Sequence, residues 1–181
     1  MNHNFQRLAA ATSLALAGLF AGAAAHAGNV VVDVSGAQSI NLQGETGNTV
    51  WLINIGAHAW VNSLDWSVVL NAFAPSSASE MQVSFGSTAR DLGAYNLTPD
   101  VDGYSGFLDL TPLGLQAGAD GMLRLEFSET YKDFGQGMAE GVWSSGHLTF
   151  NVTAVPEPAS AAMALLGLGL IGLHLRRARR G

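Results

Sequence analysis

The feature that most constrains this chain is the arrangement of its apolar residues, which run continuously at the two ends and alternate with polar residues between them. A period of two places apolar side chains on one face of a pleated strand, whereas a helix needs a period near 3.6. Leu123-Arg124-Leu125-Glu126-Phe127-Ser128 puts Leu123, Leu125 and Phe127 on one face, and His147-Leu148-Thr149-Phe150-Asn151-Val152 repeats the pattern. Residues 48–55, 64–70, 80–85 and 103–110 are further strand candidates, and 30–34 opens the series. Residues 57–73 also fit a short amphipathic helix through Trp60, Leu64 and Val68, although Leu64, Trp66, Val68 and Leu70 alternate. Sixteen glycines between Gly28 and Val155 punctuate the runs as turns would. Roughly seven to nine short strands in one domain predict an all-β fold, an antiparallel β-sandwich of jelly-roll or Ig-like type, with a barrel as the alternative.

Composition narrows the function classes. There is no cysteine, which excludes disulfides, thiolate metal sites, a cysteine nucleophile and a lipidated cysteine anchor. Five of the eight bases lie in the terminal segments, leaving Arg90, Arg124 and Lys132 against thirteen acids between Gly28 and Val155. Such a domain repels phosphate backbones, so nucleic acid is not an expected partner.

The ends read as export signals. Met1 to Arg7 is a short basic lead, followed by an apolar run that closes on Ala25-His26-Ala27 before Gly28. Small residues at Ala25 and Ala27 are what signal peptidase accepts, which predicts a signal peptide over 1–27 cleaved before Gly28. At the other end, Val155-Pro156-Glu157-Pro158 precedes an apolar segment from Ala159 to Leu175 and then Arg176, Arg177, Arg179 and Arg180. As a helix, Pro158 to Leu175 would span about 27 Å, close to a hydrocarbon core of ~30 Å, so a single C-terminal transmembrane helix is expected. The arginines place its C-terminus in the cytoplasm by the positive-inside rule. Pro156 and Pro158 hold the chain around Glu157 extended, as a processing enzyme requires.

The Val-Pro-Glu-Pro-Ala run, the Gly/Leu-rich span and the terminal arginines together resemble the PEP-CTERM sorting domain of Gram-negative bacteria. The resemblance covers residues 155–181 and leaves the domain at 28–154 unassigned. It implies that Pro156, Glu157 and Pro158 are the recognition motif for a membrane exosortase and that this chain is that enzyme's substrate. It further implies an inner-membrane intermediate, then a cell-surface or extracellular destination, with exopolysaccharide as the associated material.

Within the domain, little points to catalysis. His58 and His147 stand apart from each other and from any carboxylate pair, and no Gly-x-Ser-x-Gly elbow nominates a serine. Asp100-Val101-Asp102-Gly103, with Asp109, offers oxygen ligands for calcium, yet these are also ordinary turn residues and the spacing is not that of an EF-hand. Trp51, Trp60, Trp66 and Trp143 could form a sugar-stacking platform, or simply pack the core. Asn96-Leu97-Thr98 and Asn151-Val152-Thr153 match the glycosylation acceptor pattern. The expectation is therefore a non-enzymatic structural or adhesive surface protein with no cofactor, processed by signal peptidase and exosortase. A secreted carbohydrate-binding module or carbohydrate-active hydrolase is the alternative.

Overall fold

The structure, a computed structural model, describes residues 27–88, 95–155, 165–169, 171, 172 and 176. The described residues form nine strands: β1 (Ala27–Asp33), β2 (Ala37–Ser39), β3 (Thr49–Asn54), β4 (Trp60–Ala72), β5 (Met81–Ser87), β6 (Tyr95–Leu97), β7 (Ser105–Asp109), β8 (Met122–Glu129) and β9 (Gly141–Thr153). One helical turn, Pro99–Asp102, and two short 3-10 turns, Ala78–Glu80 and Thr111–Leu113, make up the remaining regular structure of this unit.

The strands assemble into two antiparallel sheets. One runs β1-β9-β4-β7 with β2 also beside β9, and the other runs β3-β8-β5-β6. Their inner faces meet across a single apolar core, where Phe85 contacts Phe150 at 5.4 Å and Phe127 contacts Trp143 at 5.2 Å, both edge to face. Each such pair adds about 0.5–1.5 kcal/mol beyond the area it removes from water. No barrel closes, which corrects the alternative weighed from sequence. The reason lies in the connections: β3, β4 and β5 alternate between sheets instead of pairing as successive neighbours, so each sheet keeps two edges.

Residues 60–72 resolve as strand, not helix. Leu64, Trp66 and Val68 all turn inward on β4, which pairs with β9 from Trp60↔Thr153 to Ala72↔Gly141. A bulge between Val61 and Ser63 leaves Asn62 outside the ladder and lets both Val61 and Leu64 face the core. Two glycines make the close approaches this sheet needs. A Cβ at Gly106, opposite Trp66 on β7, would lie 2.4 Å from the indole. At Gly146, where φ is +115°, it would lie 2.2 Å from the carbonyl oxygen of Ser67.

The compact unit His26–Val155 contains all of these strands. Of the second unit, Met1–Ala25 with Pro156–Gly181, residues 165–169, 171, 172 and 176 are helical. Among the described residues no helix is long and apolar enough to cross a membrane. The expected signal peptide, save its last residue Ala27, and most of the expected span from Ala159 to Leu175 lie outside the described residues.

Candidate functional site

The sequence-predicted motif residues divide by location. Pro156, Glu157, Pro158, Ala25, Arg177, Arg179 and Arg180 lie outside the described residues, while Arg176 is helical. Ala27 and Gly28 open β1, paired with Thr153 and Val152 of β9. The strand that ends at Thr153 therefore leads directly into the sorting segment.

The remaining candidates occupy structural positions. Asp100 accepts a hydrogen bond from the Tyr104 hydroxyl at 2.6 Å, and Asp102 accepts one from the Thr98 amide at 2.8 Å, closing the helical turn. Asp109 accepts from both the amide and the hydroxyl of Thr111, which hold its carboxyl below the usual carboxylate range. Among the described residues no group of three acidic or histidine side chains converges on a metal position. Trp143 and Trp66 are buried in the core, the latter donating Nε1–H to the Gly103 carbonyl at 2.7 Å, and Trp51 packs edge to face on Phe127. Trp60 is the one indole at the surface, so the four tryptophans make no common platform. His58 sits at a left-handed turn and His147 is exposed on β9. Asn96 donates to Gln43, and Asn151 donates to Asn29 across the β1–β9 pair.

Sequence reasoning missed three fully buried glutamates, Glu126, Glu129 and Glu140. Glu126 points outward from β8, between Val50 of β3 and Ser84 of β5. Its Oε1 accepts from the Gly44 amide and from Asn48 Nδ2, both at 2.7 Å, and its Oε2 pairs with Arg124 at 2.8 Å. Gln43 of the same β2–β3 connection reaches Asn96 on β6 at 3.0 Å. Residues 40–48 thus form a strap over the outer face of this sheet, and Gln82, Ser84, Glu126 and Ser128 are buried although they point away from the core. Without these acceptor bonds a carboxylate withdrawn from water would cost several kcal/mol.

At the end of the sandwich Glu140 accepts from the amides of Asp133 and Phe134 and from Lys132 Nζ at 3.0 Å. Burial alone would raise its pKa, but these donors more than offset it and hold the carboxyl below its ordinary value. Lys132 also donates to the Ile40 carbonyl, tying the strap's first residue to the loop before β9. Glu129 behaves oppositely. It is the fourth inward position of β8 after Leu123, Leu125 and Phe127, and neither of its carboxyl oxygens has a hydrogen-bond partner among the described residues. Burial pushes it up to about 8, aided by the charges of Glu140 and Glu80 and only partly opposed by the charge of Lys132. A signal for it was present: counting by two from Leu123, Leu125 and Phe127, the next core-face position of β8 holds an acid.

The outer face of the other sheet is open. Asn29, Asp33, Asp65, Ser67 and His147 are exposed there, beside Phe107 on the edge strand β7, which is 63% exposed. Asn62, freed by the bulge, donates to Asn151 at 2.9 Å and Thr153 at 2.8 Å, so Asn29, Asn151, Asn62 and Thr153 form one hydrogen-bonded ladder.

With this geometry in place, comparison with known proteins identifies the tail. Residues 154–180 match the PEP-CTERM protein-sorting motif. That match supports an exported protein processed by an exosortase through a membrane-anchored intermediate. A search among curated proteins finds no match to the chain.

Proposed function

We propose that this chain is a non-enzymatic structural or adhesive component of the cell surface or its exopolysaccharide matrix, displayed through the sorting tail. The observation that carries the reading is the sorting motif beginning at residue 154, one residue after β9 ends. After signal peptidase acts before Gly28, the apolar segment from Ala159 to Leu175 holds the chain in the inner membrane with its arginines in the cytoplasm. Pro156, Glu157 and Pro158 then present an extended segment to the exosortase. We read the strand order of the two sheets as a jelly roll, an architecture shared by lectin domains among others, which is analogy and assigns no ligand. The adhesive surface in this reading is the open face around Asp65, His147 and Phe107, where polar side chains and an aromatic edge suit a carbohydrate.

The test is replacement of Pro156, Glu157 and Pro158 together by alanine in a host that carries the exosortase. Mass spectrometry of the surface fraction should find wild-type protein lacking peptides beyond the motif, and the variant held in the inner membrane with its tail intact. Peptides extending through Leu175 in wild-type surface protein would leave a simple membrane anchor.

A further inference from the structure

Five strands lie at sheet edges, the short β2 continuing the β1 edge beside β9, and four of them carry features that discourage pairing with another chain. Edge strands are kept from association by charge, shortness, glycine or proline. β1 contains Gly28 and ends on Asp33, β7 contains Gly106 and ends on Asp109, and β2 and β6 are three residues long. β3, Thr-Val-Trp-Leu-Ile-Asn, has none of these devices. Among the described residues it pairs with β8 alone, so the backbone groups on its other side have no strand partner. Its outward side chains are apolar as well: Val50 is 40% exposed and Leu52 is 58% exposed, and the inward Trp51 and Ile53 are only half-buried.

We propose that β3 is a self-association edge that pairs antiparallel with β3 of a second copy, joining two four-stranded sheets into one of eight strands. The sequence of the strand fixes the occupant. Successive side chains alternate faces, so a two-fold antiparallel pairing keeps like faces together only when it is centred on a residue. Centred on Trp51, it sets Val50 of each copy against Leu52 of the other and covers all four exposed apolar side chains. The neighbouring charges then avoid like-sign contact. Val50 lies beside Glu126 and Leu52 beside Arg124, so each row across the joint sheet runs from an acid on one copy to a base on the other. The rest of the domain is strongly acidic, which disfavours any less specific contact between copies.

The chain has no cysteine, so introduced thiols report copy-to-copy contact without background. Full-length protein carrying Val50→Cys with Leu52→Cys is oxidised with copper-phenanthroline after detergent solubilisation, which makes the readout independent of export. Antiparallel partners lie about 4.5–5.5 Å apart between Cα atoms, within disulfide reach. A reducible dimer should hold most of the protein, at least about fivefold above a Val31→Cys with Val69→Cys control on the open face. Sedimentation of cysteine-free protein supplies a second arm: wild type should dimerise with concentration, and Leu52→Lys should weaken this at least about tenfold while Val69→Lys leaves it unchanged. Equal crosslinking in the two cysteine pairs, a product with a mass other than two copies, or a monomeric wild type at every concentration would overturn the proposal.

Discussion

The two sheets of this domain treat their outer faces differently. Each face mixes polar with exposed apolar side chains. Yet on the β3-β8-β5-β6 sheet Gln82, Ser84, Glu126 and Ser128 are buried, with residues 40–48 bonded to Glu126 and Asn96, and on the β1-β9-β4-β7 sheet Asn29, Asp65, Ser67 and His147 remain in water. The difference teaches that polarity in an outward strand position does not distinguish a solvated face from an internal hydrogen-bonded layer. A partner must also be placed over it. Here Gly44 and Asn48 supply donors to Glu126, and the strap becomes part of the packed structure. The open face has only its own ladder of Asn29, Asn151, Asn62 and Thr153, which leaves Asp65, His147 and Phe107 free to meet another molecule.

The largest effect should come from removing the anchor of the covered face. Glu126→Ala removes the fully buried carboxylate that joins Arg124, the Gly44 amide and Asn48, three donors at the margin of the covered face. Three hydrogen bonds to one charged carboxylate, at about 1.5–3 kcal/mol each and partly replaced by water, sum to a loss of about 3–5 kcal/mol. Urea denaturation should show this drop, and limited proteolysis should cut residues 40–48 faster than in wild type. A loss below about 1 kcal/mol would mean that the strap rests on the surface without stabilising it.

A somewhat smaller effect separates Glu126 from Glu129, three residues along the same strand but on its inner side. Glu129 holds its proton to about 8 in the folded state against 4.5 as its ordinary value. Below 4.5 both folded and unfolded chains are protonated and there is no penalty; as pH rises toward 8 the unfolded chain ionises first, so stability falls across that window. By pH 7 the loss is about 3 kcal/mol. Glu129→Gln keeps the neutral shape, should recover about that amount at pH 7, and should match wild type near pH 4.5. Urea titrations at the two pH values check it, and a wild type equally stable at both would show that Glu129 ionises freely when folded.

These contrasts also show what the sequence could reveal. β8 was legible because Leu123, Leu125 and Phe127 repeat the two-residue period with no competing helical spacing, whereas in β4 the alternation of Leu64, Trp66 and Val68 coexists with a helical spacing of Trp60, Leu64 and Val68, and only the pairing with β9 decides it. β2 and β6 were not legible, because three residues cannot display a period. The tail was legible because its three parts follow one another along the chain. The buried glutamates were not recognised: Glu126 draws its partners from residues 44 and 48, and Glu140 from residues 132–134, through loops whose course alternation does not encode. The tryptophans were legible in part: core packing was the reading weighed against a sugar platform, and it holds for Trp66 and Trp143, but residue type alone does not say which of the four turns inward.

The smallest expected effect on stability belongs to the open face, and it is the one that bears on adhesion. Phe107 lies on an edge strand and is largely in water, and Asp65 opposite it on β4 is exposed, so neither side chain is packed into the core. Surface substitutions at such positions usually change stability by no more than about 0.5 kcal/mol. Phe107→Ala with Asp65→Ala should therefore unfold at nearly the wild-type urea concentration. If this face is the adhesive one, the same variant should be released from the exopolysaccharide matrix by washes that leave wild type bound. An aromatic ring and a carboxylate contribute to sugar binding by covering the apolar side of a pyranose and accepting from its hydroxyls, and removing both eliminates each contribution. Immunoblots of washed matrix, with the Glu126→Ala variant as the destabilised comparison, separate the two causes of loss. Retention equal to wild type in Phe107→Ala/Asp65→Ala would remove the open face from the adhesive role and leave the matrix contact to another surface.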